Sequence, residues 1–332
     1  MRIVVACLIR FALAAVVAML ATAVAMLATA APAQSYPTRP IRLLVSFPPG
    51  GASDLIARTL GQPLSARLGQ PVVVENRPGS NGNLAGELAA RAAPDGYTLL
   101  LSPSGLFAIN PHLYAKMAID PLKELMPVAS LVSNELILAV NPALPAQDFQ
   151  AFIALARAAR PPLFYASIGN GSEHHLAMEL LKQQAGIDLV HVPYRGGGPA
   201  AIGVMAGDVS AMFGGGSVAP LIQAGKLKGL AVTGQRRSRL LAELPPIADV
   251  YPGYEVMIWQ GLCAPVGTPP EIVGRLRAEV IAILGQPDFV EKLAAAGSGE
   301  PYVTTPAEFE ARIRSDYARY GKLIKDAGLA VD

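Results

Sequence analysis

The chain has 332 residues, of which 52% are hydrophobic and 16% are charged. Its 27 basic and 25 acidic residues give a net charge of only +2 at pH 7, which excludes a strongly basic surface for nucleic acid or an anionic membrane. A composition of this kind is typical of a chain that folds around hydrophobic cores.

The N-terminal segment has the pattern of a secretory signal peptide over residues 1–33. Arg2 and Arg10 flank its start, an apolar run follows, and Ala31 and Ala33 supply the small residues that a signal peptidase reads. Cleavage would remove two basic residues and leave 25 of each sign, so we expect a nearly neutral protein exported to the periplasm. An uncleaved anchor is the alternative, because roughly 20 apolar residues can span a bilayer.

After this segment, short apolar runs rich in β-branched residues alternate with helical patterns. The predicted strands are 41–47, 72–75, 98–101, 189–192, 209–213 and 227–232. The predicted helices are 54–68, 83–93, 173–185, 199–206, 270–284, 288–296 and 306–328. Such alternation predicts α/β units with largely parallel sheets.

Glycine-rich turns follow the predicted strands in two similar series, offset by about 118 residues. The first series is PPGGAS, PGSNGN and PSG, and the second is IGNGS, RGGGP and GGGS. The repeat predicts two α/β domains of similar design. We expect 36–138 plus 256–332 to form domain one and 139–255 to form domain two, with crossings near 136–140 and 254–264.

The first turn, SFPPGGASD, predicts a site for an anion. It follows a strand and leads into a helix, whose first amides have no partner within the helix. The donors would be the amides of Gly50, Gly51, Ala52 and Ser53, together with the Ser53 hydroxyl. Asp54 closes the stretch and can equally act as a helix cap.

A second turn, SIGNGS at 167–172, offers the same kinds of hydrogen-bond donor, which are backbone amides and serine hydroxyls, and adds the Asn170 side chain. Two such turns facing across a cleft can hold both ends of a small dicarboxylate. The structural alternative is that these glycines serve the backbone alone, as in most strand-to-helix turns. The chain has no GxxxxGK[ST] and no GxGxxG after the first strand, so a carboxylate is favoured over a phosphate.

The sequence contains no motif typical of a catalytic or metal-binding site. No GxSxG nucleophile elbow occurs, and Cys263 lies in an apolar strand, as a core residue would. His174 and His175 are adjacent and would point about 100° apart on a helix, which makes them a poor chelating pair. We therefore predict no enzyme, no metal and no cofactor, and keep a periplasmic enzyme on the same scaffold as the less favoured alternative.

Eight motifs occur in order from about Tyr36 to the C-terminal part of the chain. They are SYPTRPIRLLVSFPPGGASD, QPVVVENRPGSNGN, APDGYTLLL, AINPHLY, YASIGNGSEHHLA, VHVPYRGGGPA, AGKLKGLAVTG and WQGLCAPVGTP. The ordered set resembles the extracytoplasmic solute receptors of tripartite tricarboxylate transporters, the Bug-type receptors.

The resemblance implies an α/β, two-domain periplasmic binding protein of the type II-like kind, with two crossover strands and a ligand cleft that closes by a hinge. It implies a small organic carboxylate as ligand and membrane permease subunits of a tripartite tricarboxylate transporter as partners. A carboxylate sensor subunit for a signalling partner is the alternative. We expect a monomer that binds no nucleic acid.

The resemblance also implies the ligand contacts, most of them through backbone amides and hydroxyls. These residues are Phe47, Pro49, Gly50, Gly51, Ala52, Ser53, Asp54, Ser102, Ser104, Asn110, Ser167, Gly169, Asn170, Gly171, Ser172, His175, Tyr194, Gly196 and Gly214.

The sequence departs from the family pattern in two places. Gly214-Gly-Gly-Ser217 stands where an Asp- or Asn-bearing segment is common, which makes a ligand with an ammonium group less favoured. We therefore predict a carboxylate without an amino group. Glu173 and His174 stand where small residues or proline are frequent, which predicts a more polar and selective rim.

Overall fold

The computed structural model describes Met19 and residues 36–238, 240–295 and 297–330. The predicted signal peptide, apart from Met19, lies outside the described residues. Residues 39–332 group into one unit that contains two β-sheets. Within the described part of the chain, no helix combines the length and the apolar character needed to cross a bilayer.

Eleven strands and twelve helices alternate through the described residues. The strands are β1 Ile41–Val45, β2 Val72–Asn76, β3 Thr98–Pro103, β4 Leu125–Glu135, β5 Ile137–Val140, β6 Leu163–Ser167, β7 Leu189–Pro193, β8 Ala211–Gly214, β9 Lys228–Val232, β10 Met257–Pro265 and β11 Glu300–Pro301. The helices are α1 Ala52–Leu68, α2 Asn83–Ala90, α3 Gly105–Ala108, α4 Asn110–Leu113, α5 Pro121–Glu124, α6 Phe149–Ala158, α7 Glu173–Ala185, α8 Gly197–Ala206, α9 Ala219–Gln223, α10 Pro270–Leu284, α11 Pro287–Ala295 and α12 Pro306–Asp326.

The two sheets share one design, as the repeated turns predicted. The six-stranded sheet has the order β11-β4-β10-β3-β1-β2, and the five-stranded sheet has the order β7-β6-β8-β5-β9. In the first, β1 pairs in parallel with β2 and β3, and in the second β6 pairs in parallel with β7 and β8. The remaining strands add antiparallel pairs, so each sheet is mixed rather than largely parallel.

The chain passes between the sheets twice. β4 ends at Glu135 in the first sheet and β5 begins at Ile137 in the second, so a single residue separates them. The return runs from β9, which ends at Val232, to β10, which begins at Met257. The first crossing lies next to the predicted stretch 136–140. The return occupies the segment between β9 and β10, and the predicted stretch 254–264 lies mostly within β10 itself. The domain boundaries remain a prediction.

The first sheet encloses a core in which Leu44, Leu100, Trp259 and Cys263 are buried together. The Trp259 indole N–H donates to the Asp316 carboxylate over 2.9 Å. Burial raises the pKa of the Cys263 thiol to about 12, which suits a packing residue and not a nucleophile.

A second core links the five-stranded sheet to helices that are far apart in the chain. Leu138 and Phe213 of this sheet share one buried cluster with Leu113 of α4, Leu176 of α7 and Leu323 of α12. The first turn of α7 is thereby held close to α4 and α12. This packing positions the candidate site residues at the start of α7.

Candidate functional site

The turn after β1 is exposed where the sequence predicted ligand contacts. Pro49, Gly50, Gly51 and Ala52 are exposed, and Ser53 is buried at the start of α1. Gly50 has φ +81°, a conformation that favours glycine. The first amides of α1 face this turn without a carbonyl partner in their own helix, so the turn is equipped to receive an anion.

Asp54 holds this turn from behind. Its carboxylate accepts hydrogen bonds from the Gly50 amide (2.9 Å), from Arg58 Nε (3.0 Å) and from Asn76 Nδ2 (2.9 Å). Asn76 Nδ2 also donates to the Phe47 carbonyl over 3.0 Å. Burial raises the pKa of the Asp54 carboxyl, but these hydrogen bonds and the Arg58 charge outweigh it and lower the pKa. Asp54 therefore stabilises the conformation of the turn after β1.

The turn after β2 was not among the predicted contacts, yet it lies against the first turn. Gly82 packs so closely on Ser46 that an added Cβ would lie 3.2 Å from the Ser46 Cβ. Asn110 fixes this turn: its Nδ2 donates to the Asn81 carbonyl (3.0 Å) and to Asn83 Oδ1 (2.6 Å), and its Oδ1 accepts from Asn81 Nδ2 (2.9 Å). The predicted contact Asn110 is thus occupied in tying two loops together.

The turn after β3 carries two buried serines. Ser102 Oγ donates to the Pro103 carbonyl over 3.2 Å. Ser104 Oγ donates to the Glu173 carboxylate, Oγ to Oε1, over 2.9 Å, and the Gly105 amide donates to the same carboxylate. Ser104 belongs to the part of the chain with the six-stranded sheet and Glu173 begins α7 on the other sheet, so this contact joins the two parts.

The turn after β6 is held by its own serines. Ser167 Oγ and the Gly169 amide lie 3.0 Å apart, Ser172 Oγ donates to the Gly169 carbonyl over 2.8 Å, and Ser172 caps α7 by accepting from the His175 amide. Gly169 and Gly171 have φ values of +136° and +72°, which only glycine adopts readily. Asn170 between them is exposed.

The remaining predicted contacts lie on the second sheet beside this turn. The Tyr194 amide donates to the Ser167 carbonyl over 3.0 Å, and the Tyr194 ring packs onto Gly203 of α8. Gly196 precedes α8 with φ +116°. A Cβ on the buried Gly214 would lie 2.5 Å from a Val218 methyl group, so close packing requires glycine there.

Two histidines stack at the edge of the second sheet. The rings of His175 and His191 have centroids 3.9 Å apart and planes 9° from parallel. The Gly171 amide donates to His175 Nδ1 over 3.1 Å, and Ser167 Oγ lies 2.6 Å from His191 Nε2. Burial lowers the pKa of both imidazoles, and the neighbouring His175 helps to bring the pKa of His191 to about 4. His191 was not among the predicted contacts.

These histidines line a cavity of about 350 Å³. Glu179 stands at its wall and accepts from the Tyr165 hydroxyl (2.7 Å) and from Lys182 Nζ (2.8 Å). The lining residues are Leu113, Asn170, Gly171, His175, Glu179, Lys182, His191, Leu329 and Ala330. Among the described residues, no group of three or more His, Cys, Asp or Glu side chains is arranged to hold a metal ion.

Two sheets of one design, joined by two crossings and carrying glycine turns at the ends of their parallel strands, define the fold of a two-domain periplasmic binding protein. The chain belongs to the TctC family, described as the tripartite tricarboxylate transporter family receptor, whose model matches residues 56–329. It is 35% identical to protein BugT of Bordetella pertussis (strain Tohama I) in an alignment of 302 positions that covers 89% of this chain and 91% of that protein.

Solved structures agree with this assignment. R. palustris Rpa4515 with adipate has a TM-score of 0.81 and 35% identity, covering 89% of this chain and 99% of that one. The periplasmic binding protein BugD has a TM-score of 0.78 and 31% identity, covering 89% and 99%. MatC from Rhodopseudomonas palustris with bound malate has a TM-score of 0.76 and 29% identity, covering 87% and 100%.

Proposed function

We propose that this protein is a periplasmic solute-binding receptor that captures a small organic carboxylate and delivers it to the permease of a tripartite tricarboxylate transporter. The observation that carries the proposal is the first turn: Gly50 and Gly51 are exposed in front of the first amides of α1. Asp54, which would repel an anion, is turned inward and engaged by Arg58 and Asn76. Amides presented in this way favour a carboxylate.

The turn after β6 forms a second wall of the site in this proposal. Asn170 and Gly171 border the cavity, and the amides at the start of α7 follow them. Adipate and malate in two related structures support a carboxylate as the class of ligand. We propose the amides of Gly51, Ala52 and Ser53 as the main contacts. The predicted donors Gly50, Gly169 and Gly171 already donate to Asp54, Ser167 and His175 in this structure, so these residues shape the site with the other predicted residues.

Capture would depend on closure about the two crossings. Closing the cleft would exclude water and strengthen each amide contact with the carboxylate. The motion is expected on roughly microsecond to millisecond times. No bond is made or broken in this cycle, so in this proposal the protein acts as a receptor and not as an enzyme. We propose that it does so as a monomer.

The test is thermal unfolding of the full chain, refolded to remove any copurified ligand. It is scanned against mono-, di- and tricarboxylates, aromatic acids, acidic amino acids and neutral analogues. Ligand at 100 times its Kd adds about 2.7 kcal/mol of stability, which raises the Tm by roughly 5–10 °C for a chain of this size.

A rise with amine-free acids and none with their neutral analogues supports the proposal. No rise with any acid, in protein shown to be folded, contradicts it. Tight binding of aspartate or glutamate, with none of amine-free acids, would refute the predicted ligand class and leave the receptor function in place. Delivery is tested separately, by uptake of the labelled acid in cells that carry the permease with and without this protein.

A further inference from the structure

Glu173 places a carboxylate of the protein itself between the parts that carry the two sheets. It is the first residue of α7, and its side chain reaches the turn after β3. Ser104 Oγ donates to Glu173 Oε1 over 2.9 Å, and the Gly105 amide is a second donor. Glu173 is only 4% exposed and Ser104 is fully buried, so this contact is shielded from solvent.

The contact shows what the turn after β3 can bind. A hydroxyl and an amide, both buried, converge on one carboxylate, which is the chemistry expected of a carboxylate anchor. The fit is close, because a Cβ on Gly105 would lie 3.1 Å from Glu173 Oε1. In this protein the anchor is already filled, and its two donors are engaged.

The charges around this contact oppose a second anion. Burial raises the pKa of the Glu173 carboxyl, and the negative charge of Asp316 acts in the same direction. The nearby cations Arg312 and Arg319 are themselves paired with Asp316, at 2.7 Å and 3.0 Å. A ligand carboxylate that reached this point would meet the negative charge of Asp316 and would find the Ser104 hydroxyl and the Gly105 amide already engaged by Glu173, which is costly in a site shielded from water.

The structure assigns to Glu173 the role of a specificity-determining residue: by filling the anchor at Ser104 and Gly105, it restricts the receptor to acids that carry a single carboxylate. That carboxylate would bind at the exposed glycine turn after β1. The inference rests on the proposed function and narrows its ligand class. It sets this protein apart from Rpa4515, whose structure contains the dicarboxylate adipate.

The experiment measures Kd by calorimetry for two matched pairs of acids, butyrate with succinate and hexanoate with adipate. Each pair has one chain length and differs in the second carboxylate. The proteins are the wild-type full chain, Glu173→Ala, Glu173→Gln and the control Glu291→Gln, which changes an exposed glutamate on α11. Glu173→Gln keeps the size of the side chain and one acceptor oxygen, so it covers the case in which Glu173→Ala fails to fold.

We expect the wild type and Glu291→Gln to bind the monocarboxylate of at least one pair about tenfold or more tightly than its dicarboxylate. Glu173→Ala, which frees both donors and removes the charge, should shift this ratio toward the dicarboxylate by about tenfold or more. Glu173→Gln, which removes any ionisation but keeps a side chain in the anchor, should shift it in the same direction by less.

Two results overturn the inference alone: a wild type that prefers the dicarboxylates, or Glu173 variants that weaken both members of a pair equally, as a purely structural contact would. A wild type that binds no acid, in these pairs or in the wider thermal scan, overturns the proposed function as well. The two failures are therefore distinguishable.

Discussion

His191 lies flat against His175 at the wall of the cavity, with ring centroids 3.9 Å apart. Two imidazoles in this arrangement are stable together only while at least one is neutral. Burial lowers the pKa of both, and the pKa of His191 reaches about 4. Because the unfolded residue titrates near 6.5, the unfolded chain binds more protons between about pH 6.5 and 4, and stability falls as the pH falls through this window.

Replacing His191 by Phe keeps an aromatic ring in the stack and removes the ionisation. Between pH 7 and 5 the wild type should lose about 1 kcal/mol more unfolding free energy than His191→Phe, a value discounted for the partial exposure of the His191 ring. Chemical denaturation at both pH values measures this difference. Glu173, whose pKa is raised by burial, contributes in the opposite direction in both proteins and cancels. An equal pH dependence in the two proteins would show that His191 is not held neutral.

Asp54 is expected to control the first turn through its hydrogen bonds. Asp54→Asn removes the charge and leaves one acceptor oxygen, so its NH2 group faces either the donors of Gly50 and Arg58 or the donor of Asn76. The loss should be about 2 kcal/mol of unfolding free energy, since hydrogen bonds to a charged group are lost in a buried place. Any acid found in the thermal scan should also bind more weakly, because the turn is no longer fixed.

The control for this variant is Asp288→Asn, which changes an exposed aspartate on α11. It should leave stability within about 0.5 kcal/mol of the wild type. Equal effects of the two substitutions would contradict the role given to Asp54.

Gly216 allows the segment after β8 to touch a distant loop. A Cβ at this position would lie 2.6 Å from the Gly297 carbonyl oxygen, so Gly216→Ala forces backbone apart and should cost about 1–3 kcal/mol. Gly198→Ala, on the exposed first turn of α8 with nothing within 4 Å of the new Cβ, should be neutral or slightly stabilising. Thermal unfolding of both variants measures the difference, and a stable Gly216→Ala would mean that the contact is loose.

Much of the fold could be predicted because its signals are local. The glycine turns and apolar runs recur along the chain, and the sheets reproduce that recurrence in the matching orders β2-β1-β3 and β7-β6-β8. β4 escaped prediction because it contains Pro127 and several polar residues; Pro127 lies where the pairing with β10 shifts register, a place that tolerates proline. Helix α6 did carry a signal, since Asp148 caps it and Phe149, Phe152 and Ile153 are buried.

The candidate site was predictable only at its turns. The sequence indicated exposed glycine amides, and their role as ligand contacts stays a prediction. The side chains that surround them depend on distant contacts: Glu173 meets Ser104 from 69 residues away, and His191 meets Ser167 across two neighbouring strands. No local sequence pattern indicates such a pairing, because the pairing depends on how the two sheets and α7 pack.

The most direct test of the account is a crystal structure of the protein with the acid that raises its Tm the most. The account predicts that the ligand carboxylate lies within hydrogen-bond distance of the amides of Gly51, Ala52 and Ser53, with Gly169–Ser172 closing over the ligand. It also predicts that Glu173 remains bound to Ser104. A ligand bound away from both turns, on the outer surface of either sheet, would contradict the central claim.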